Sequence, residues 1–158
     1  MVDIKERAKA LNGEIVRWRR QVHQNPELGL HTPMTETFVV ERLREMGIDE
    51  IRSGVGGHGV AALVRGKKPG KVLGMRADMD ALPVKEETGL PFASTVEGRM
   101  HACGHDAHVA ILLGTARILA ENRNDLAGTV KLIFQPSEED SEGALAMIRD
   151  GVLEDPPL

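Results

Sequence analysis

The sequence predicts an α/β fold in which a layered, mixed or parallel sheet is flanked by helices. Segments with apolar residues at every third or fourth position, the mark of amphipathic helices, alternate along the chain with short apolar runs typical of strands. Such alternation is characteristic of layered α/β domains. A length of 158 residues with 41% hydrophobic content is enough for one domain with its own core.

Four segments have the helical pattern. The first ends near Asn25, before Pro26, and the second follows Pro33 and stops at Gly47, with Thr35 as its predicted N-cap. The third opens at His105, directly after a segment crowded with histidines. The predicted helices cover residues 4–22, 33–47, 105–121 and 142–150.

Strands are predicted near Ile51 and over residues 59–66, 71–77 and 128–136. The turn-rich linker "GKKPG" predicts a hairpin between the second and third of them. Residues 78–102 contain prolines and glycines without clear periodicity, which predicts a long loop. Loops of that length in compact domains are usually functional or mobile.

Composition excludes several classes of function. A formal net charge of −4, only 3% aromatic residues and no tyrosine argue against a nucleic-acid partner. The single cysteine cannot form an intrachain disulfide, and no apolar span reaches the roughly 20 residues that cross a bilayer. The first 20 residues mix charges with apolar positions and predict no signal peptide. We therefore expect a cytoplasmic protein without a membrane partner.

Acidic residues follow two of the predicted strands. Asp78 and Asp80 come after the third strand, and Glu138 and Glu139 come after the fourth. Ligands of open α/β sheets bind beyond the carboxyl ends of the strands, so two parallel neighbours would place both acidic clusters at one rim. The segment "HACGHDAH" leads into the helix that connects these strands, so that its start can lie at the same rim.

Cys103 and His105 have the spacing of a metal site, because Gly104 permits the backbone to turn between them. The dipole of the following helix and a bound cation would favour the Cys103 thiolate. The missing carboxylate ligand would come from Glu138 or Glu139. Successive side chains of an extended segment point to opposite sides, so one carboxylate would bind the metal while the other takes a proton from metal-bound water. The residues alone do not decide whether Glu138 or Glu139 is the ligand and which is the base.

Other interpretations are open for each residue taken singly. Cys103 could be a small core residue, the glutamate pair an exposed acidic loop, and Asp78 and Asp80 turn residues. A Cys-His nucleophilic dyad, with Cys103 as the thiolate and His105 or His108 as the base, explains neither the glutamates nor the aspartates. The convergence of separate segments on one rim favours the metal site. The remaining histidines are predicted to line a pocket or be structural (His101, His108) or to lie on the surface (His23, His31, His58).

Four stretches, in the same order and spanning nearly the whole chain, resemble one known family. They are "RRQVHQNPELGLHTPMT", "GMRADMDALPVKEETGLPFAS", "GRMHACGHDAHVAILLG" and "LIFQPSEED". The family is the aminoacylase-like co-catalytic metallopeptidases, in the branch of N-acyl-amino-acid amidohydrolases, hippurate hydrolases and auxin-conjugate hydrolases. The resemblance implies a zinc-peptidase-like catalytic domain. It also implies metal ligation by Cys103, His105 and Glu139, with Glu138 as the general base and Asp78 orienting the site.

The activity that this resemblance implies is removal of an acetyl, benzoyl or similar acyl group from an amino acid by metal-activated water. The partner is then a small N-acyl amino acid, and a homo-oligomer is possible. Two divalent ions are implied for the full-length protein. Mixed soft and hard ligands permit zinc, manganese, nickel or cobalt.

Length is the main departure from the family. Its members are typically more than twice as long, with an inserted lid or dimerisation domain and two further histidine ligands, whereas no histidine follows His108 here. We therefore expect residues 1–158 to form the N-terminal portion of the catalytic domain, without the lid. The alternative function is a truncated, non-catalytic fragment that binds a metal or a partner.

Overall fold

The computed structural model describes residues 3–158 and confirms the mixed α/β architecture. All predicted helices and strands are present, with ends shifted by a few residues at most. In chain order, the elements are α1 (Ile4–His23), α2 (Pro33–Glu45), β1 (Ile51–Val55), β2 (Gly59–Arg65), β3 (Lys68–Asp78), α3 (His105–Glu121), β4 (Ala127–Gln135) and α4 (Gly143–Arg149).

The strands form one sheet in the order β1-β2-β4-β3. β3 and β4 are parallel, and β2 is antiparallel to both β1 and β4. The predicted hairpin between β2 and β3 is wrong, because β4 lies between them. The linker instead crosses the start of β4, where the Gly66 N–H donates to the Gly128 carbonyl at 2.8 Å. An added Cβ at Gly70 would lie 2.6 Å from the Gly128 nitrogen, so this crossing requires glycine.

The main core lies between one face of the sheet and helices α1, α2 and α3. Alternate residues of β4, Val130, Leu132 and Phe134, point into it, and Val109 and Leu113 of α3 pack against them. The opposite face of the sheet is covered by α4 and the following turn through a smaller cluster of buried residues, which comprises Val55, Ala61, Ile133, Met147 and Val152.

The start of α2 differs from the sequence-based prediction. Thr35 lies inside the helix and does not cap it, and the N-cap residue Thr32 makes no side-chain capping bond. The buried Glu27 carboxylate takes this role from outside the helix. It accepts hydrogen bonds from the backbone nitrogens of Met34 at 3.0 Å and Thr35 at 2.8 Å. A carboxylate at a helix N-terminus is also favoured by the helix dipole.

The parallel arrangement of β3 and β4 brings their carboxyl ends to the same rim of the sheet, as expected. Residues 79–104 form the predicted long loop between β3 and α3, with one isolated bridge between Leu82 and Met100. The loop then delivers the start of α3 to that rim. Within residues 3–158, no helix is both long and apolar enough to span a bilayer.

Candidate metal centre

Candidate metal ligands from separate segments of the chain meet at this rim of the sheet. Gly104, at a φ of 94°, turns the backbone sharply just before α3. This turn brings Cys103 and His105 together with Glu139, which follows β4. One ligand atom from each of these three residues lies within 4.8 Å of the other two. A sulfur, an imidazole nitrogen and a carboxylate oxygen at such spacing can share one cation.

His105 is buried, and its two ring nitrogens have different surroundings. Nδ1 lies 2.8 Å from the backbone carbonyl oxygen of Asp80 and 3.3 Å from its carboxylate. Nε2 faces the carboxylates of Glu138 at 3.7 Å and Glu139 at 3.8 Å. If Nδ1 donates to the Asp80 carbonyl, Nε2 of the neutral ring is the nitrogen free to accept a metal, because a neutral ring carries one donor and one acceptor.

Asp80 is a candidate site residue to which the sequence pattern assigned no specific role. Its buried carboxylate accepts the Glu139 backbone N–H at 3.0 Å and also contacts His105, so it holds two predicted ligands in position. Burial acts to raise the pKa of Asp80, but hydrogen bonds with His105 and the backbone of Glu138 and Glu139 outweigh it and lower that pKa. The alternation in "DMD" was the available signal, since residues two apart in an extended chain point the same way.

Asp78, predicted to orient the site, lies on the other side of the His105 ring from Asp80. One of its oxygens is 3.8 Å from His105 Nε2, and its carboxylate pairs with Arg76 at 3.2 Å and contacts His108 Nδ1. Burial acts to raise the pKa of Asp78, but His108, His105 and Arg76 together lower it. Asp78, His105 and His108 form a second cluster with metal-ligand spacing. The two clusters share His105.

The two glutamates do not point to opposite sides, contrary to the expectation from an extended segment. Both carboxylates reach the same His105 nitrogen because the backbone turns after β4, with Ser137 at a φ of 52°. Their exposure differs: the Glu138 side chain is 41% exposed and that of Glu139 is 24% exposed. The Glu139 Oε1 atom is buried without a hydrogen-bond partner. Such an orphaned oxygen beside an imidazole nitrogen fits a cation.

The Cys103 thiolate, which the sequence predicts to be favoured by the helix dipole and a bound cation, faces a carboxylate in the structure. Contact with the Glu139 carboxylate is the largest influence and raises the pKa of Cys103, and burial adds to it. Cys103 also precedes the N-cap, Gly104. Burial alone would lower the pKa of His105, but Asp80 and Asp78 raise it to about 9. The excess of carboxylates therefore holds protons on both residues, and a cation would displace them.

Two of the histidines predicted to lie on the surface, His23 and His58, are more buried than expected. His23, predicted to lie on the surface, is 3% exposed and lies between the carboxylates of Asp106 and Glu86. His58 is half-buried and pairs with Glu36 at 2.5 Å, whereas His31 is exposed as predicted. His101, predicted to line a pocket or be structural, is also buried. The apolar spacing of α1 could not predict the burial of His23, because His23 is a polar residue.

Comparison with known proteins identifies the family of this chain. A family model described as "Peptidase family M20/M25/M40" matches residues 74–158, which include most of β3, the long loop, α3, β4 and every candidate ligand named above. The chain belongs to this family. The resemblance found in the sequence is thereby confirmed.

Individual relatives agree with this family membership. The chain is 48% identical over 95% of its length to thermostable carboxypeptidase 2 of Saccharolobus solfataricus. It is 46% identical over 91% of its length to N-acetyl-L-cysteine deacetylase of Bacillus subtilis. A crystal structure of a dinuclear metal-binding M20 peptidase from Bacillus subtilis superimposes with a TM-score of 0.87 at 44% identity and 92% coverage of the chain. The chain spans only 39%, 34% and 40% of these proteins, respectively.

Proposed function

We propose that this M20 chain supplies the metal-binding half of an amidohydrolase active site that removes acyl groups from the nitrogen of amino acids. The observation that carries the proposal is the meeting of Cys103, His105 and Glu139 within 4.8 Å, with a second carboxylate, Glu138, beside them. A sulfur, nitrogen and oxygen donor set suits transition metals such as zinc, manganese, nickel or cobalt. The unpaired Glu139 oxygen supports the fit.

The roles of the residues follow from their positions. A bound divalent cation would lower the pKa of a coordinated water and polarise the amide carbonyl. Glu138, the more exposed glutamate, can take the proton from the attacking water and pass it to the leaving nitrogen. Asp80 orients His105 and the Glu139 backbone from within the core. Asp78 lies where it can hold His108 and Arg76 beside the reacting group.

The names of the relatives define a common substrate class. A carboxypeptidase and an N-acetyl-cysteine deacetylase both cleave an amide whose nitrogen belongs to an amino acid with a free carboxylate. We therefore propose N-acyl amino acids, including acetyl and benzoyl derivatives, as substrates of the active protein. In this proposal residues 1–158 are the N-terminal portion of the family's catalytic domain.

The experiment compares the wild type with Glu138→Gln and with Glu142→Gln, a matched change at an exposed glutamate in the same segment. Each protein is loaded with zinc, manganese or cobalt, its metal content is measured, and hydrolysis of N-acetyl- and N-benzoyl-amino acids is followed. Loss of a general base lowers the rate about 10²–10⁴-fold. We expect this loss for Glu138→Gln, with metal content unchanged, and no loss for Glu142→Gln.

Hydrolysis that Glu138→Gln leaves intact contradicts the role of Glu138. Wild-type protein that binds a metal through Cys103 but hydrolyses no acyl amino acid supports the alternative function, a metal-binding fragment without catalysis. Replacement of Cys103 by serine identifies the metal site in either case, because serine lacks the thiolate that favours binding.

A further inference from the structure

A buried charge network lies directly behind the metal-binding segment. Asp106 follows His105 in the first turn of α3, and its side chain is fully buried. One Asp106 oxygen accepts a hydrogen bond from Nε of Arg19 at 3.0 Å and lies 2.8 Å from Nδ1 of His23. Both residues belong to the last turns of α1. The other Asp106 oxygen is buried without a partner. Asp106 therefore depends on α1 for its hydrogen bonds.

The same histidine also holds the long loop. Nε2 of His23 lies 3.2 Å from the Glu86 carboxylate, whose side chain is 3% exposed. Glu86 in turn accepts the backbone N–H of Ser94 at 2.6 Å. The ring of Phe92 meets His23 edge-on at 5.6 Å. His23 thus connects three segments: the end of α1, residues 86–94 of the loop, and the first turn of α3.

The connection bears on the ligands because it joins the bonds that hold the start of α3, which include the contact of His105 with the Asp80 carbonyl and the Arg19–Asp106 pair. Its N-cap, Gly104, makes no side-chain capping bond and has a positive φ, so the local backbone does not by itself select one conformation. Cys103 is exposed. The placement of Cys103 relative to Glu139 therefore depends on what anchors residues 104–106 from behind. Groups behind metal ligands fix their orientation and are worth about 10–100-fold in metal affinity.

We propose that His23, bridging Asp106 and Glu86, is a positioning residue that ties the long loop to the start of α3 and thereby sets the geometry of Cys103 and His105. His23 touches neither ligand, so it acts through the Asp106 backbone. Its effect on metal affinity rests on the proposed function, whereas its effect on the order of the loop and of α3 does not.

The first test uses metal-free protein and hydrogen–deuterium exchange. We compare the wild type, His23→Leu, His23→Gln and His58→Leu; the last removes a similar histidine–carboxylate pair between the β1–β2 turn and α2. In His23→Leu the buried carboxylates of Asp106 and Glu86 each lose one partner, which loosens their surroundings. Exchange should therefore be about tenfold faster in peptides covering residues 84–96 and 101–109. Peptides from β2 and β4 should not change. His23→Gln, which keeps one donor, should show a smaller effect.

Unchanged exchange in both peptides of His23→Leu overturns the proposal, and so does an equal increase throughout the protein. If His23→Leu does not fold, Glu86→Gln carries the test, because it keeps the size of the side chain and removes the charge that faces His23. For Glu86→Gln we expect faster exchange in residues 101–109 as well as in the loop, and exchange that rises in the loop alone contradicts the connection.

The second test measures cobalt affinity by competition with a chelator, with the thiolate-to-cobalt absorption band as the signature of Cys103. His23→Leu should bind about 10–100-fold more weakly and with an altered spectrum, and His58→Leu should match the wild type. Wild-type affinity in His23→Leu overturns the positioning role while leaving the metal centre intact. A wild type without a cysteine-dependent cobalt band contradicts the metal centre itself, and the exchange experiment still decides the role of His23.

Discussion

The raised pKa of His105 makes the stability of the metal-free protein depend on pH. In the unfolded chain this pKa has its ordinary value of about 6.5; in the folded protein burial acts to lower it, but Asp80 and Asp78 raise it to about 9. Below pH 6.5 both states are protonated and the stabilisation is complete. Between these values only the folded state keeps the proton, so stability falls as the pH rises, and above pH 9 the contribution is gone. A gap of about 2.5 pKa units corresponds to about 3 kcal/mol, an upper bound because water at the open rim screens these charges.

The assay is urea denaturation at pH 6, 7, 8 and 9 in the presence of a chelator. It uses a Cys103→Ser background, which removes a second titratable group near His105, the Cys103 thiol whose pKa contact with Glu139 raises. His105→Gln in the same background is the control, since glutamine does not titrate. Across this range we expect the free energy of unfolding to fall by up to about 3 kcal/mol more in the protein that keeps His105 than in the glutamine variant. Parallel curves for the two proteins would refute the reasoning.

Two further predictions concern the segments that frame the site. Glu27→Ala removes the carboxylate that caps α2 and should lower the free energy of unfolding in urea by about 1–2 kcal/mol; Glu27→Gln, which keeps one acceptor, should lose less. Gly143→Ala should abolish metal binding, because an added Cβ would lie 1.6 Å from the Pro136 carbonyl and displace the turn that carries Glu138 and Glu139. Isothermal titration with zinc checks this, and wild-type binding by the variant would contradict it.

Much of the fold was readable from the sequence because the helices and strands have strong patterns. The third helix begins at His105 and ends at Glu121, as its apolar spacing predicts. The pairing of the strands was not readable, because the linker between β2 and β3 has the composition of a hairpin turn. The sheet order alone shows that β4 lies between β2 and β3 and that the linker crosses the start of β4. Pairing of this kind is a long-range property that local composition does not encode.

The candidate site was predicted in part. The convergence of Cys103, His105 and Glu139 followed from spacing, strand ends and family resemblance. Asp80 was missed as a contact of His105 because the alternation in "DMD" places Asp78 and Asp80 on one side of the chain without showing which atoms each of them meets. The joint approach of Glu138 and Glu139 to one nitrogen was also missed, since it depends on the positive φ of Ser137, a conformation that serine seldom adopts.

The position of β3 at the end of the sheet order has a consequence for growth of the sheet. This strand is eleven residues long and pairs with β4 on one side. On its other side, backbone N–H and C=O groups remain available along most of its length. Another strand can therefore pair with this edge of the sheet. The free edge of β3 ends at Asp78, on the proposed catalytic rim. A strand added to this edge would therefore also lie beside the proposed substrate site.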